Sequence, residues 1–260
     1  MPPASNSDSR DDWDAHWTEF AESAEQNPAQ GWRRDLILAQ LHLGPGAKLL
    51  DVGSGQGDFA RDVLSANPTV CFQGFELSAS GVAQASAKVP KATFHQVDLL
   101  SDEPFVTELA GWADHVVCAE VLEHLDDPRL LLLNALRHAA PGAQVVVTVP
   151  GGPRTAFDIH IGHRRHYSRS SLRSLLESAG IAVDRVDGAG FPFFNVYRLT
   201  VLLRGKRLVE DFAAGGNGVN TRSARLIIRC FGYLFKANRR TGSLGWQLIA
   251  VGRAAGTIQS

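Results

Sequence analysis

The chain has few cysteines: three in 260 residues, namely Cys71, Cys118 and Cys230. Their wide spacing fits no metal site, and so small a number favours free thiols over a disulfide framework. Cys71 and Cys118 lie within apolar, strand-like runs. The sequence therefore predicts buried free thiols in a reducing compartment.

The sequence also lacks a run of about 18 apolar residues, so it predicts no membrane-spanning helix. Its first residues do not resemble a signal peptide, and we expect a cytoplasmic protein. The formal net charge is only -1, which argues against binding of nucleic acid by the whole surface. With 44% hydrophobic residues, the chain can bury a full core, and its length indicates one α/β domain with additions.

The stretch richest in structural signals runs from Ala47 to Ala60, AKLLDVGSGQGDFA. Its apolar run predicts a buried strand, and the alternating glycines after it predict a sharp turn that leaves room for a ligand. Asp58 then lies at the start of a predicted helix. Asp51 ends the strand just before the first glycine, and this combination is more specific than a glycine turn alone.

Predicted strands and helices alternate along the rest of the core. Further strands are predicted at 70–76, 92–98, 113–121, 143–150, 181–187 and 246–253. Helices are predicted at 32–43, 78–88, 105–109, 128–139 and 172–179. This alternation predicts a doubly wound, Rossmann-like α/β fold that binds its ligand at the carboxyl ends of the strands.

We divide the chain into five predicted segments. They are a disordered tail (1–10), N-terminal helices over the ligand site (11–45), the core (46–190), a helical basic insertion (191–242) and a last strand (243–256). The polar, proline-containing composition of the tail is the reason for expecting disorder there.

Three acids mark the predicted ends of successive strands: Asp51, Glu76 and Asp98. Glu76 lies nineteen residues after Gly57, where a carboxylate can accept hydrogen bonds from both hydroxyls of a ribose. A nicotinamide dinucleotide would use the same position, so Glu76 alone leaves the cofactor open. Asp51 would repel a pyrophosphate but tolerate a cationic amine and sulfonium. Asp98 can accept from an adenine amino group.

The motif series LDVGSGQG, FEL, VDL and CAEVLEHL resembles that of class I S-adenosylmethionine-dependent methyltransferases, over about residues 30–185. The resemblance implies a seven-stranded, mostly parallel sheet with its last strand antiparallel, and S-adenosylmethionine as cofactor. It implies that Asp51 organises the cofactor amine and that Glu76 binds the ribose. Asp98 and Leu99 are implied to bind the adenine, and Glu120 to lie near the methionine moiety and the methyl acceptor. The full set of implied cofactor-binding residues is Arg33, Asp51, Gly53, Ser54, Gly55, Gly57, Glu76, Leu77, Asp98, Leu99 and Glu120.

EVLEHL is the form of this motif found in small-molecule methyltransferases, including those that resemble the ubiquinone-pathway O-methyltransferases. Their Asn-Pro-x-x-Arg-like segment has its counterpart in NPAQGWRR, residues 27–34, with Gly31 in the place of the arginine. Arg33 or Arg34 is then the candidate for the cofactor carboxylate, and a solvated helix residue is the alternative. The fourth predicted strand is not followed by Pro-Pro-aromatic or a nucleophilic cysteine, so we expect no nucleic-acid substrate.

The segment DIHIGHRRHYS, residues 158–168, contains three of the nine histidines and resembles the G-H-x-R-x-Y segment of many such methyltransferases. An alcohol or phenol must lose its proton to accept a methyl group, and histidine is the natural base. The candidates, in order, are His163, His160 and His124. Alternatively, His163 and Arg165 only brace the next helix. We expect no metal at His160, His163 and His166, because no acidic cluster accompanies them.

The insertion before the last strand is strongly basic. Residues 197–240 contain ten lysines and arginines against two acids, whereas residues 1–30 contain seven acids against one arginine. One predicted helical face carries Arg222, Arg225, Arg229 and Lys236, and the other carries Ile227, Phe231 and Leu234. Such a helix suits an anionic membrane surface or a lipid-linked acceptor. The alternatives are a lid that packs on the sheet, or docking against the acidic N-terminal segment or another chain.

The sequence as a whole predicts a cytoplasmic methyltransferase that modifies a small-molecule or lipid-like acceptor at oxygen, and it leaves open whether the insertion at 197–240 is a lid or also contacts a membrane surface. Two alternatives from other classes stay open at this point. One is a nicotinamide-dependent oxidoreductase on the same sheet, and the other is a non-catalytic partner protein that binds the cofactor.

Overall fold

The computed structural model of the protein describes residues 27–101, 105–213 and 229–255. Three predicted features lie outside these residues: the tail at 1–10, the first part of the N-terminal helices, and the stretch of the basic helix at 222–228.

The core is one seven-stranded sheet. Its strands are β1 (Lys48–Val52), β2 (Cys71–Glu76), β3 (Thr93–Gln96), β4 (Ala113–Ala119), β5 (Ala139–Pro150), β6 (Ile181–Ala189) and β7 (Gln247–Ala254). They lie in the order β3–β2–β1–β4–β5–β7–β6, and β7 alone runs antiparallel to its neighbours. This confirms the predicted doubly wound fold. Because the order reverses between β1 and β4, a crevice opens at their carboxyl ends.

Helices cover both faces of the sheet. They are α1 (Pro28–Leu38), α2 (Asp58–Ala66), α3 (Ala79–Lys88), α4 (Pro128–Leu136), α5 (Ala156–His160), α6 (Arg169–Ser178) and α7 (Phe193–Ala213). Single 3-10 turns occur at Thr107–Leu109, Leu122–His124 and Phe235–Ala237. The helix predicted at 105–109 is thus only a 3-10 turn.

Helix α1 begins earlier than predicted, at Pro28 rather than Trp32, and ends at Leu38. The Asn-Pro pair of the NPAQGWRR segment is the start of this helix. Asn27 is the N-cap, and its side chain accepts a hydrogen bond from the Ala29 amide at 2.9 Å. Proline is favoured directly after the cap, since its missing N–H would have no partner there.

Residues 137–142 also depart from the prediction. The helix predicted at 128–139 ends at Leu136, and β5 already begins at Ala139, which pairs with Ala113 of β4. The leucine-rich pattern of the helix gives no stop signal there. Pairing with the neighbouring strand decides the boundary, and such long-range contacts are invisible to local patterns.

Successive strand residues face two different cores. Leu50 and Val116 pack with α4 and α6, whereas Leu49 and Val117 pack with α1, α2, α3 and α7, and all four are at most 2% exposed. Burying one such side chain stabilises the fold by about 1.5–3 kcal/mol. The sheet is therefore anchored on both faces, and its carboxyl ends form a rigid platform.

The described part of the insertion packs onto helix α1. Phe194 of α7 and Phe235 are at most 2% exposed, and their rings lie 4.9 and 6.0 Å from that of Trp32. Phe231 joins this aromatic cluster at 5.3 Å from Tyr197. These aromatic contacts join the described part of the insertion to α1.

The prediction of buried thiols is right for Cys118 but wrong for Cys71. All three cysteines are free, and Cys71 and Cys230 are exposed. Cys71 is the first residue of β2, and its side chain is exposed although Val70 before it and Phe72 after it are buried.

Candidate active site

A cavity of about 400 Å³ lies where the strand order reverses, a volume that suits a small-molecule ligand. Helices α1 and α7 contribute Arg33 and Tyr197 to its wall. Most of the predicted site residues line it: Arg33, Asp51, Gly53, Ser54, Gly55, Glu76, Leu77, Asp98, Leu99, Glu120, His124 and His163. Two others, Gly57 and His160, are not among the lining residues.

The sheet sets the acids of the cavity in a row. In the order β3–β2–β1–β4, Asp98 follows the first strand, Glu76 and Asp51 lie at the ends of the next two, and Glu120 follows the fourth. With strands spaced about 4.8 Å apart, the row is about 14 Å long. An extended nucleoside linked to an amino acid has comparable dimensions.

The glycine turn shapes the floor of the cavity. Gly53 has a φ of 76°, its N–H donates to the Phe75 carbonyl at 2.8 Å, and a Cβ would meet Val121 at 2.4 Å. Only glycine fits there without displacing its neighbours. Gly57, with a φ of 78°, instead caps α2 and lies against Ala85 of α3. It shapes the turn rather than the cavity.

Backbone amides of the same turn orient Glu76. Its Oε2 accepts from the Gly55 amide at 2.8 Å, and its Oε1 accepts from the Ser78 amide at 3.0 Å. Ser54 Oγ is buried beside it and makes no hydrogen bond within the described part of the chain. A buried hydroxyl without a partner loses hydrogen-bond energy that a polar ligand can restore.

The pKa of the Asp51 carboxyl is strongly perturbed. It is 3% exposed, and burial, with a further contribution from Glu76, raises the pKa of its carboxyl from 3.8 to about 7. Two acids buried side by side favour a cationic ligand, because a cation stabilises both carboxylates. The same arrangement disfavours a pyrophosphate.

The end of the row next to β3 is apolar apart from Asp98. Leu99 is buried, Leu77 is 38% exposed, and Asp98 Oδ1 accepts from the Leu100 amide at 2.9 Å. The Leu99 carbonyl accepts from the Asn134 side chain at 2.8 Å, which holds the loop after β3 in place. This end can hold a flat aromatic base between its leucines.

Arg33 belongs to a buried polar network. Its Nε donates to Gln247 Oε1 at 2.7 Å, and its Nη2 lies 3.3 Å from Glu120 Oε2. Gln247 Nε2 in turn donates to Glu120 Oε1 at 2.7 Å. Glu120 adopts a φ of 57°, a conformation that costs a non-glycine residue about 1–3 kcal/mol. Of the two predicted arginines, Arg34 pairs instead with Asp62 at 2.5 Å.

Glu123, His124 and His163, which we call the histidine cluster, line the cavity next to Glu120. The two rings lie 4.7 Å apart, nearly perpendicular, and Glu123 Oε1 is 4.0 Å from His163 Nε2. The pKa of Glu123 is raised well above its ordinary value, mainly by burial and further by the charge of Glu120. The pKa of His163 is lowered to about 2, mainly by burial and further by the neighbouring His124. His163 is therefore neutral near pH 7, and the shift at Glu123 favours its protonated form.

His166 and Asp158 support this cluster from outside. His163 Nδ1 lies 3.2 Å from His166 Nε2, and His166 Nδ1 lies 3.2 Å from the Gly152 carbonyl. Asp158 accepts two hydrogen bonds from Arg198, at 2.8 and 2.9 Å. Burial opposes ionisation of Asp158, but the hydrogen bonds and charge of Arg198 outweigh it and lower the pKa to about 2.

These positions change two sequence-based arguments. His160 is exposed at the end of α5 and takes no part in the cluster, so the structure does not bring this candidate base to the cavity. We expected no metal at His160, His163 and His166 because the sequence shows no acidic cluster beside them. Glu123 and Asp158 in fact lie within 4.0 Å of His163.

Sequence reasoning missed Glu123, Gln247 and Arg198. Glu123 stands three residues after Glu120 in EVLEHL, and the 3-10 turn at Leu122–His124 turns it into the interior, a geometry that the motif alone does not reveal. Gln247 and Arg198 come from distant parts of the chain, and no local pattern marks them.

Comparison with known proteins agrees with this geometry. Residues 24–186 match the family model described as a methyltransferase domain. Trans-aconitate 2-methyltransferase of Azoarcus sp. is 28% identical over 156 residues, which are 60% of this chain and 54% of that protein. Ubiquinone biosynthesis O-methyltransferase of Pseudomonas fluorescens is 25% identical over 178 residues, with 59% and 73% covered. The chain thus spans about half the length of the first relative and about three quarters of the second.

The fold is also that of solved methyltransferases. Phosphoethanolamine N-methyltransferase 2 of Haemonchus contortus, solved in complex with S-adenosyl-L-methionine, superimposes with a TM-score of 0.60 at 16% identity. The superposition covers 95% of this chain and 61% of the other.

The sheet order, the glycine turn and the acids at the strand ends define a class I S-adenosylmethionine-dependent methyltransferase. The chain belongs to the methyltransferase domain family, whose model spans more than half of it. S-adenosylmethionine is accordingly its cofactor, which decides against the nicotinamide-dependent alternative. The expectation that its substrate is not a nucleic acid stays a prediction.

Proposed function

We propose that the protein transfers the methyl group of S-adenosylmethionine to a hydroxyl oxygen of a small-molecule or lipid-like acceptor. The observation that carries this proposal is the position of the histidine cluster. It lines the same cavity as the row of acids, beside Glu120 at the end of that row. A nucleoside bound along the row would present its sulfonium toward this end.

The lining residues fit the cofactor in parts. Asp98 and Leu99 hold the adenine, Glu76 accepts from the ribose hydroxyls, and Asp51 attracts the cationic amine. Arg33, already turned toward Glu120, binds the carboxylate of the methionine part. Buried charge-assisted hydrogen bonds of this kind are stronger than neutral ones.

The space for the acceptor is mostly apolar. Phe157 and Ile161 line it from the segment around α5, and Tyr197 and Val201 line it from α7. Apolar walls that end at a few polar side chains suit a largely apolar molecule with one reactive hydroxyl. The named activity of the ubiquinone biosynthesis relative, an O-methyltransferase, supports oxygen as the acceptor atom.

Methyl transfer to oxygen is an in-line displacement, so alignment of the acceptor and the sulfonium is the main task of the cavity. The acceptor hydroxyl must also lose its proton as it attacks. We assign this step to the histidine cluster, with His163 as the principal side chain. The pKa of about 2 keeps its ring neutral and able to accept a proton but makes it a weak base, so alignment supplies the larger part of the rate. The alternative, in which His163 and Arg165 only brace the segment before α6, predicts no specific effect on turnover.

Methyl-labelled S-adenosylmethionine, incubated with a panel of phenols, alcohols, amines and lipid extracts, tests the proposal directly. We expect label on oxygen in a phenolic, alcoholic or prenylated acceptor. His163→Ala should lower turnover at least about 100-fold, within the range of general-base effects, while cofactor affinity stays the same. Arg165→Ala, the matched control in the same segment, should retain turnover.

Label found only on nitrogen would contradict the choice of acceptor atom. Equal turnover in the wild type and in His163→Ala would remove that residue from the chemistry. Binding of cofactor without methylation of any acceptor in the panel would favour the non-catalytic partner protein.

We further propose that the insertion contacts anionic membranes. On α7, one face carries the exposed side chains Val196, Leu199 and Leu203, of which Leu203 is 75% exposed. Arg229 and Lys236 are also exposed. Apolar and basic side chains together bind to an anionic lipid surface without crossing it. In the described parts of the chain, no helix is long and apolar enough to cross a bilayer.

Flotation with vesicles separates this contact from a simple lid. Vesicles with anionic lipid should carry the full chain at low salt and release it as ionic strength rises, because the attraction is screened. Leu203→Glu should reduce flotation, whereas Asp35→Asn on α1 should leave it unchanged. Absence of flotation at low salt would refute membrane contact.

A further inference from the structure

Glu123 carries a fully buried carboxyl group. It is 0% exposed, and within the described residues neither of its side-chain oxygens has a hydrogen-bond partner. A buried polar group left unsatisfied destabilises the ligand-free protein, and a ligand that satisfies it removes this cost. Its backbone, by contrast, is fixed: the Glu123 carbonyl accepts from the Arg164 amide at 2.8 Å. This bond ties the EVLEHL motif to the segment that carries His163.

Two imidazoles face this carboxyl. One ligand atom each of Glu123, His124 and His163 lies within 4.8 Å of the other two. A tetrahedral Zn²⁺ ion holds its nitrogen and oxygen ligands at about 2.0–2.2 Å, which places them about 3.4 Å apart. Side-chain movements of about 1 Å would close the present arrangement around one ion.

The hydrogen bonds behind His163 set its tautomer. The Gly152 carbonyl can only accept, so His166 Nδ1 carries the proton and donates to it. His166 Nε2 is then an acceptor, and His163 Nδ1–H donates to it. His163 Nε2 is left with its lone pair on the side of Glu123, 4.0 Å away. Histidines that bind metals are commonly held in this way by their second nitrogen.

We propose that Glu123, His124 and His163 bind a divalent first-row transition metal ion, represented by Zn²⁺, at the acceptor end of the cavity. Two imidazoles and one carboxylate form a set known from catalytic zinc sites, and they leave a coordination position open. Imidazole ligands favour such metals over Mg²⁺ or Ca²⁺.

Two neighbouring carboxylates are excluded from this site by their own partners. Glu120 is engaged by Arg33 and Gln247. Asp158, which with His163 and His166 forms a second group of closely spaced ligand atoms, is held by two hydrogen bonds from Arg198. Within the described residues the Glu123 side chain accepts no hydrogen bond of this kind, so the ion belongs beside it.

The metal site deepens the proposed function and rests on it for its catalytic role. When bound, the ion would stabilise the oxyanion of an acceptor hydroxyl at the open position, so that this hydroxyl would lose its proton to water more readily. The oxygen electron pair then forms the bond to the methyl carbon as the carbon–sulfur bond breaks. The bonding pair stays on sulfur, which becomes the neutral thioether of S-adenosylhomocysteine. With the ion bound, the proton therefore goes to water, and His163 serves as a metal ligand in place of the role of base assigned to it for the metal-free protein.

Metal binding can be measured without acceptor or cofactor. The full chain is stripped with a chelator, freed of it, and titrated with Zn²⁺ by calorimetry and with Co²⁺ by visible absorption. We expect one equivalent of metal and Co²⁺ bands typical of low coordination number. Glu123→Gln should weaken binding at least about 100-fold, and His166→Ala about 10-fold. His42→Ala, which removes an exposed histidine outside the cavity, should bind as the wild type does.

Three results would overturn the assignment. They are the absence of saturable binding of either ion, wild-type binding in Glu123→Gln, and binding lost in Asp158→Asn but kept in Glu123→Gln. Affinity for S-adenosylhomocysteine confirms that each variant is folded. Methyl transfer at the full rate after chelation would refute the catalytic role of the metal alone, whereas metal binding without methylation of any acceptor would refute only the proposed function.

Discussion

The carboxylate of Asp51 should destabilise the ligand-free protein while it strengthens cofactor binding. Its pKa is raised from 3.8 to about 7, mainly by burial and further by the negative charge of Glu76. At about 1.4 kcal/mol per pKa unit, the ionised group costs the folded state about 4 kcal/mol above pH 7. Because the folded state binds this proton more tightly than the unfolded state, the stability contribution falls as the pH rises from about 4 to about 7. Above pH 7 it no longer changes.

Asp51→Asn removes this cost and keeps the shape of the side chain. We expect the free energy of unfolding at pH 8 to rise by about 2–4 kcal/mol, and the gain to vanish near pH 4. Urea denaturation of both proteins at pH 4.5, 6 and 8 measures the difference. Asp35→Asn, which neutralises an exposed carboxylate on α1, is the control and should show no such trend.

The same substitution should weaken binding of S-adenosylhomocysteine at least about 10-fold at pH 8, because the cationic amine loses its buried counter-charge. Calorimetry measures this affinity. An Asp51→Asn variant that is less stable at pH 8 and binds the ligand as tightly as the wild type would refute the reasoning on both counts.

Three further substitutions test the platform around this site. Gly53 has a positive φ, and the Cβ added by Gly53→Ala would meet Val121, so this substitution should lower ligand affinity at least about 10-fold. Gly46→Ala is the control, because Gly46 also has a positive φ but lies in open space, and it should leave the affinity unchanged. Calorimetry measures the ligand affinity of both variants. Glu76→Gln keeps the shape but loses the charge, and calorimetry should show about 10-fold weaker binding. Phe235→Ala should lower the urea-derived unfolding free energy by about 3–5 kcal/mol, and an unchanged value would contradict its place in the aromatic cluster.

The features of the fold and site that short sequence patterns encode could be predicted. The glycine turn, the acids at the ends of β1 and β2 and the alternation of strands and helices all follow from short patterns, and the structure confirms the sheet that they predict. The resemblance supplied the antiparallel last strand, which no pattern in β7 shows by itself.

The parts that escaped prediction depend on contacts across the chain. Gln247 joins Arg33 and Glu120 from positions 214 and 127 residues away. The start of α1 at Pro28 was missed for a different reason, since Asn-Pro can either end or begin a helix. The orientation of Glu123 depends on a 3-10 turn and on the Arg164 amide, neither of which the motif specifies.

Calorimetric titration of the full chain with S-adenosylhomocysteine and, separately, with NAD tests the central claim most directly. A cavity with two acids at its centre should bind S-adenosylhomocysteine at one site per chain and should not bind NAD. Tight binding of NAD with no binding of S-adenosylhomocysteine would contradict the account.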